Sequence, residues 1–320
     1  MPTLPDLAAL STSSFWVLAG GLLSFLLIAT VIGRLVAWRV GSGNATVRNL
    51  IERINAWWIL VAVALPVLAA GPMWTIALFA LLSVLTLREF LALTPTRSGD
   101  RLVIAAAFGL AIPLQYGLIA IDWYGLFAIL LPVYGLFLLS ALATLAQDTE
   151  HFLERISKVQ WAVMVCVYGI SHAPALLVLD IPGYDAGNGV LLLFFLLIAQ
   201  ISDVMQYVCG KLFGRHKLAP ILSPNKTVEG LVGGGLLASG LGAALHGFTP
   251  FDVRQAALLS LAIVIGGFVG GLVLSAVKRS LHAKDWGSSI PGHGGVLDRL
   301  DSIAFSAPIF FHLTRYWFTP

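Results

Sequence analysis

Charge is what this chain has least of. Only 11% of its 320 residues are Asp, Glu, Lys or Arg, and the mean hydropathy is +0.90. A soluble domain carries about 25% charged residues, so a chain this poor in charge has lipid for most of its solvent. Polar sequence long enough to make a second, soluble domain is missing between the apolar runs. Cysteine is nearly missing as well. Cys166 and Cys209 both sit in apolar runs, which excludes a disulfide framework and a zinc cluster. The polar loops contain neither G-x-x-x-x-G-K-[ST] nor G-x-G-x-x-G, and no repeat of 20–50 residues runs through the chain. The first apolar run, Phe15 to Trp38, has no basic residue ahead of Arg34. It lacks the basic start and small-residue cleavage site of a secretory signal, so it is expected to remain as a first span.

What is present is a succession of apolar segments close to the ~20 residues that cross a bilayer. They are Phe15–Val36, Ala56–Ala70, Met73–Leu87, Leu102–Ala120, Tyr124–Leu145, Val159–Leu179, Val190–Cys209, Val228–Gly247, Ala256–Val277 and Ser302–Phe318. The second and third are short and meet at Gly71-Pro72, which suggests tilted, re-entrant or broken segments. Val47–Trp58 reads as an amphipathic stretch leading into the second. The expected fold is an all-α integral membrane protein, a polytopic bundle of about ten transmembrane helices with cytoplasm-facing catalytic loops. It is one membrane domain, with N-terminal helices over residues 1–189 and a catalytic region over residues 190–320.

The cations orient it. Lys and Arg concentrate in short cytoplasmic loops. With the N-terminus outside, all nineteen except Arg254 and Arg315 fall on one set of alternate loops. The net charge of +3 therefore reports orientation, and anionic headgroups rather than nucleic acid are its expected neighbours.

Two of those loops hold unusual chemistry. In "KDWGSSIPGHGGVLDRLD", Lys284 to Asp301, Asp298 and Asp301 stand three apart at the start of the last helix, on one face. Gly294 and Gly295 before them let a ligand approach the backbone. A helix N-terminus suits phosphate, and carboxylates beside phosphate require a bridging cation. Mg²⁺ (or Mn²⁺) is expected, since carboxylates plus substrate phosphates are its usual ligands. Asp285 offers a third oxygen ligand, giving Asp285, Asp298 and Asp301 as the metal set. Lys278, Arg279, Lys284 and Arg299 flank them as phosphate contacts, and His293 between glycines is a hydrogen-bond donor or proton shuttle. Read one at a time, these charges are equally those of helix caps and topology signals.

In "SPNKTVEG" the phosphate- or base-binding candidates are Ser223, Asn225, Lys226 and Thr227, followed by Glu229. Upstream, Asp203 lies inside an apolar span, where an ionisable group costs about 2.5–3.5 kcal/mol and reads as a functional-site candidate or as glue between helices. Gly233–Gly235 and Gly266–Gly271 read as close helix packing.

"SAVKRSLHAKDWGSSIPGHGGVLDRLD", Ser275 to Asp301, resembles the signature of the phosphatidate cytidylyltransferases, the CDP-diacylglycerol synthases. Ser275, Lys278, Arg279, Lys284, Asp285, Pro291, His293, Gly294, Gly295, Asp298, Arg299 and Asp301 fill its places at the right spacing. Ser223 to Gly230 resembles the family's second motif, and Asp203 with Tyr207 and Gly210 its preceding helix. Val204, Met205 and Gln206 stand where the family usually carries small residues. The resemblance runs from about Val190 to the end. It implies an enzyme that makes CDP-diacylglycerol and pyrophosphate from CTP and phosphatidate with Mg²⁺, and it is compatible with a homodimer. It implies Asp285, His293, Asp298 and Asp301 as catalytic. The alternatives are a relative acting on another lipid phosphate, such as an archaeal ether lipid, and a transporter with Asp203 on an ion path.

Overall fold

The computed structural model describes residues 12–40, 45–289 and 294–320. Ten long helices account for most of them: α1 (Ser13–Val40), α2 (Ala45–Ala70), α3 (Pro72–Leu93), α4 (Ser98–Ala120), α5 (Tyr124–Thr144), α6 (Phe152–Val178), α7 (Asn188–Phe213), α8 (Val228–Ala244), α9 (Val253–Ser280) and α10 (Leu297–Phe318). The chain is an all-α polytopic membrane protein, and each expected span coincides with a helix. Among the described residues seven of these helices, α1, α3 to α7 and α9, are long and apolar enough to cross a membrane. The apolar part of α2, Trp57–Ala70, and the whole of α8 are shorter. The amphipathic stretch Val47–Trp58 is continuous with that apolar part, and Gly71 separates α2 from α3. The third span is longer than expected because the helix continues past the charged pair Arg88-Glu89.

One element was not expected. The loop after α7 folds into an antiparallel hairpin, β1 (Lys217–Ala219) and β2 (Ser223–Thr227), with Lys217 opposite Thr227. Five residues of "SPNKT" carry no strand periodicity, so the pairing arises from the contacts the hairpin makes rather than from propensity.

The bundle is organised around α6, whose apolar window is 78% buried, while α1 and α5 are mostly open to the surroundings at 28% and 22%. The last helix crosses α6 so closely that a Cβ on Gly169 would collide with the carbonyl of Ala304. Glycines set two other crossings, as anticipated. A Cβ on Gly234 of α8 would strike the Gln206 backbone of α7, and one on Gly270 of α9 would lie 2.7 Å from the Asp301 carbonyl of α10. His172 is a core residue, its Nδ1 2.7 Å from the Tyr168 carbonyl and its ring against Phe127 and Phe311, while its Nε2 is buried without a hydrogen-bond partner among the described residues.

The loops meet in two sets. At the cation-rich end, Arg155 reaches Asp100 (3.2 Å) and Asp148 (2.6 Å), and Arg97 reaches Asp148 (3.4 Å) and Glu150 (2.5 Å), tying the α3–α4 turn to the α5–α6 turn. At the other end, Tyr184 Oη donates to the Phe248 carbonyl (2.8 Å), Thr12 Oγ1 to that of Ala186 (2.8 Å), and the Arg315 guanidinium lies 3.8 Å from the Tyr124 ring centroid. The grouping is the one that the cation pattern required.

Candidate active site

A cleft of about 320 Å³ opens at the cation-rich end, between α7, the hairpin, the start of α8, α9 and the start of α10. α7 supplies Asp203, which is exposed to it, with Gln206 and Tyr207 on the same helical row. β2 supplies Ser223, Asn225, Lys226 and Thr227. α10 supplies Asp298 and Asp301, three apart and on one face. Seven of the residues singled out thus converge on one space, although about seventy positions separate β2 from α10.

Lys226 is the cation at its centre. Its Nζ lies 3.4 Å from the Phe268 carbonyl and 4.5 Å from the centroid of the Phe268 ring. A Cβ on Gly271 would sit 2.8 Å from that Nζ and 4.0 Å from Asp301 Oδ2, so α9 makes room for both groups by having no side chain there. Burial pulls the Lys226 ammonium below its ordinary value, while the charges of Asp203 and Asp301 act in the opposite sense. Thr227 is the N-cap of α8, its Oγ1 accepting from Gly230 N at 3.1 Å. The positive end of α8 therefore faces the cleft directly behind Lys226.

The two acids of α10 are held differently. Asp298, its side chain 5% exposed, pairs with Lys278 Nζ at 2.6 Å and accepts the backbone N–H groups of Trp286 (2.8 Å) and Gly295 (2.9 Å). Its carboxylate is thereby committed to closing the signature loop. Asp301 accepts one N–H, from Ser302 at 2.8 Å, and shares the cleft with Asp203. Gly294 has φ 79°, and a Cβ there would come 2.6 Å from Asp298 Oδ2, so this turn accepts glycine alone.

The expected metal set does not assemble. Among the described residues no three His, Cys, Asp or Glu side chains converge as for a metal ion. Asp285 is exposed and outside the cleft, and Asp298 is taken by Lys278 and two amides. The acids that share the cleft without such commitments are Asp203 and Asp301. Lys284 is exposed at the surface. Arg279 donates to the Ala283 carbonyl (2.8 Å), closing the end of α9. Glu229 points away from the cleft and accepts from Arg215 N (3.0 Å) and His216 N (3.2 Å), with His216 Nδ1 at 2.5 Å, bracing the hairpin. Arg299 lies on the far side of α10 from the cleft, and His293 falls outside the described residues.

Sequence reading missed Glu89. From the end of α3, 8% exposed, it accepts Ser289 Oγ (2.6 Å) and the N–H groups of Val296 (2.9 Å) and Leu297 (2.9 Å). It satisfies the free amides at the start of α10 and holds the loop against α3. Beside it Phe90 stacks on the buried Trp286 at 4.7 Å. A Cβ on Gly295 would collide with Glu89 itself. The available signal was a carboxylate at the end of an apolar span.

Comparison with known proteins gives a consistent picture. Residues 51–317 match the model of the cytidylyltransferase family. A protein of Escherichia coli K12, described as uncharacterized protein YnbB, is 37% identical over 298 residues, covering 92% of this chain and 96% of its own. A phosphatidate cytidylyltransferase of Staphylococcus saprophyticus is 42% identical over 120 residues, 37% of this chain and 46% of its own. One of Staphylococcus aureus strain COL is 40% identical over the same length and shares. The chain thus spans about half the length of these two enzymes and nearly all of the E. coli protein.

Proposed function

The chain belongs to the cytidylyltransferase family, and on that premise we propose that it transfers the cytidylyl group of CTP to phosphatidate, giving CDP-diacylglycerol and pyrophosphate. A phosphate oxygen of the lipid attacks the α-phosphorus of CTP. The bond to the β-phosphate bridging oxygen breaks, and pyrophosphate leaves with that electron pair. The acceptor supplies its own nucleophile, so neither Ser nor Cys is needed. The task left to the protein is to bring two polyanions together in line.

The observation that carries this reading is the convergence of Asp203, Lys226 and Asp301 on one cleft beside the N-terminus of α8. Lys226 and the helix end attract phosphate. Two carboxylates in the same space suit a hard divalent cation with oxygen ligands, so the residues fit Mg²⁺, which Asp203 and Asp301 would hold. Such an ion would supply neutralisation of phosphate charge when bound. Asp298, Lys278 and Glu89 shape the loop and the start of α10, keeping Asp301 in register. The cation-rich end carries the cleft, which supports a multi-pass protein of the cytoplasmic membrane whose site faces the cytoplasm. CTP then enters from water while the lipid stays in the bilayer.

The test is direct. The purified full chain in detergent, given labelled CTP, phosphatidate and Mg²⁺, should form labelled CDP-diacylglycerol with one pyrophosphate per turnover. Product with another lipid phosphate but none with phosphatidate would move the acceptor assignment. Failure with every lipid phosphate would overturn the reaction itself.

A further inference from the structure

A second recess meets the active cleft at α10. An apolar groove of about 240 Å³ runs between α2, α3, α7 and α10. Leu65 and Leu68 of α2, Phe79 of α3 and Ile303 of α10 line it. Apart from the Trp57 indole its walls are hydrocarbon until the end where Gln200 and Arg299 stand, with Gln200 Nε2 donating to the Arg299 carbonyl at 3.4 Å.

Groove and cleft share two helices, α7 and α10. On α7, Leu193, Leu196, Leu197 and Gln200 form the i, i+3, i+4, i+7 row that faces the groove. The same row runs on by three and then four residues to Asp203 and Tyr207, which line the cleft. On α10, Arg299, Leu300 and Ile303 face the groove while Asp298 and Asp301 face the cleft, so one turn of helix is the wall between them.

We propose that this groove holds one acyl chain of the lipid-phosphate substrate, with Arg299 at its mouth drawing the phosphate toward Asp203 and Asp301. The proposal rests on the cytidylyl-transfer reading above. Its occupant follows from complementarity: a lipid phosphate joins hydrocarbon to a dianion, and here hydrocarbon walls end at a guanidinium beside an acid-lined cleft. A guanidinium recognises phosphate with two parallel hydrogen bonds. The larger recess of about 620 Å³ around Leu139, Trp161 and Ile309 has no cation in its lining, and so lacks a group to seat the phosphate.

A chain site of this kind is read by chain length. Val63, 49% exposed, and Ala64 both line the groove, so a Trp at either fills it from the α2 side with little disturbance of the core. Leu114→Trp, at a position 49% exposed on α4 away from the groove, is the control. The full chain in detergent is assayed with dioleoyl and with dihexanoyl phosphatidate at saturating CTP. For Val63→Trp and Ala64→Trp we expect the KM for the dioleoyl lipid to rise about tenfold relative to that for the dihexanoyl lipid, with KM for CTP and the Leu114→Trp ratio unmoved. An unchanged ratio in both groove variants, with wild-type protein active on both lipids, overturns the groove. An equal rise in Leu114→Trp also overturns it, because the effect is then one of general lipid contact. Wild-type protein inactive on every lipid phosphate overturns the reaction reading, and the groove assignment with it.

Discussion

Glu89 Oε2 accepts the backbone N–H of Leu297 at 2.9 Å, across 208 positions of chain. With Ser289 and Val296 on Oε1, this carboxylate fixes where α10 begins. Glu89→Gln turns one acceptor into a donor facing an amide. Hydrogen bonds to charged groups contribute about 1.5–3 kcal/mol, so thermal unfolding in detergent should show a loss of that order. A small displacement of α10 moves Asp301, and turnover should fall roughly 100-fold. Wild-type turnover in the folded variant would remove Glu89 from any positioning role.

Lys278 and Asp298 form a buried ion pair at 2.6 Å, their side chains 10% and 5% exposed. Removing one partner of such a pair costs about 3–5 kcal/mol, because a buried charge is left behind. Asp298→Asn and Lys278→Met should each reduce stability by that order, and their combination by less than the sum. A double-mutant cycle on denaturation midpoints checks this; strict additivity would mean that the two side chains are not coupled.

Asp203→Asn and Asp301→Asn should behave otherwise. Both acids face the cleft, so their variants should accumulate, unfold near the wild-type temperature and lose nearly all CDP-lipid formation. Residual activity should need more Mg²⁺, and chelation should stop the wild-type reaction. Asp180→Asn, at an exposed position on the opposite end, is the control. Asp100 is unsuitable as one, since it is buried against Arg155. Normal activity in both cleft variants, or full wild-type activity with excess EDTA, would show that these acids hold no metal.

Burial places the Lys226 ammonium below the ordinary lysine value of 10.5. The cation is the form that attracts phosphate, so its contribution is present at low pH and lost as pH rises through that lowered value. The apparent affinity for CTP should therefore weaken on the alkaline side before an ordinary lysine would titrate. Lys226→Arg should carry that alkaline limb upward, since guanidinium keeps its charge, whereas Lys226→Met should abolish it. An identical alkaline profile in Lys226→Arg would assign the limb to another group.

The orientation is testable with single thiols, because Cys166 and Cys209 are buried. In intact cells Asp185→Cys should react with an impermeant maleimide, and Lys217→Cys should react only after the membrane is opened. Both positions are exposed. The reverse pattern would invert the protein.

Much of this was legible because lipid imposes simple rules. Every expected span is a helix, since within the bilayer each backbone amide must find its partner inside the segment. Glycine runs marked the close crossings because only a missing side chain lets Gly234 lie on Gln206. Asp203 was visible as a charge in a costly place, and Lys226 and Asp301 as motif residues of the two polar loops. The division of labour between Asp298 and Asp301 was not, as both have the same spacing and chemistry. It depends on Lys278 lying one helix away. The hairpin and the Glu89 contact escaped for the same reason: they are pairings between distant segments, and local pattern is silent about partners.

The contact between α3 and the signature loop also bears on how the protein is made. Glu89 leaves the ribosome about two hundred residues before the amides it will hold, so during synthesis it is in place before its partners exist. The last helix does not create its own starting point; it arrives at one already installed by the third. The segment from residue 190 onward therefore carries the cleft acids and the Lys278–Asp298 pair but not the carboxylate that receives the first amides of α10. Expressed alone it should insert without a settled loop, and co-expression with residues 1–189 should restore it, as in a split protein whose halves meet at Glu89.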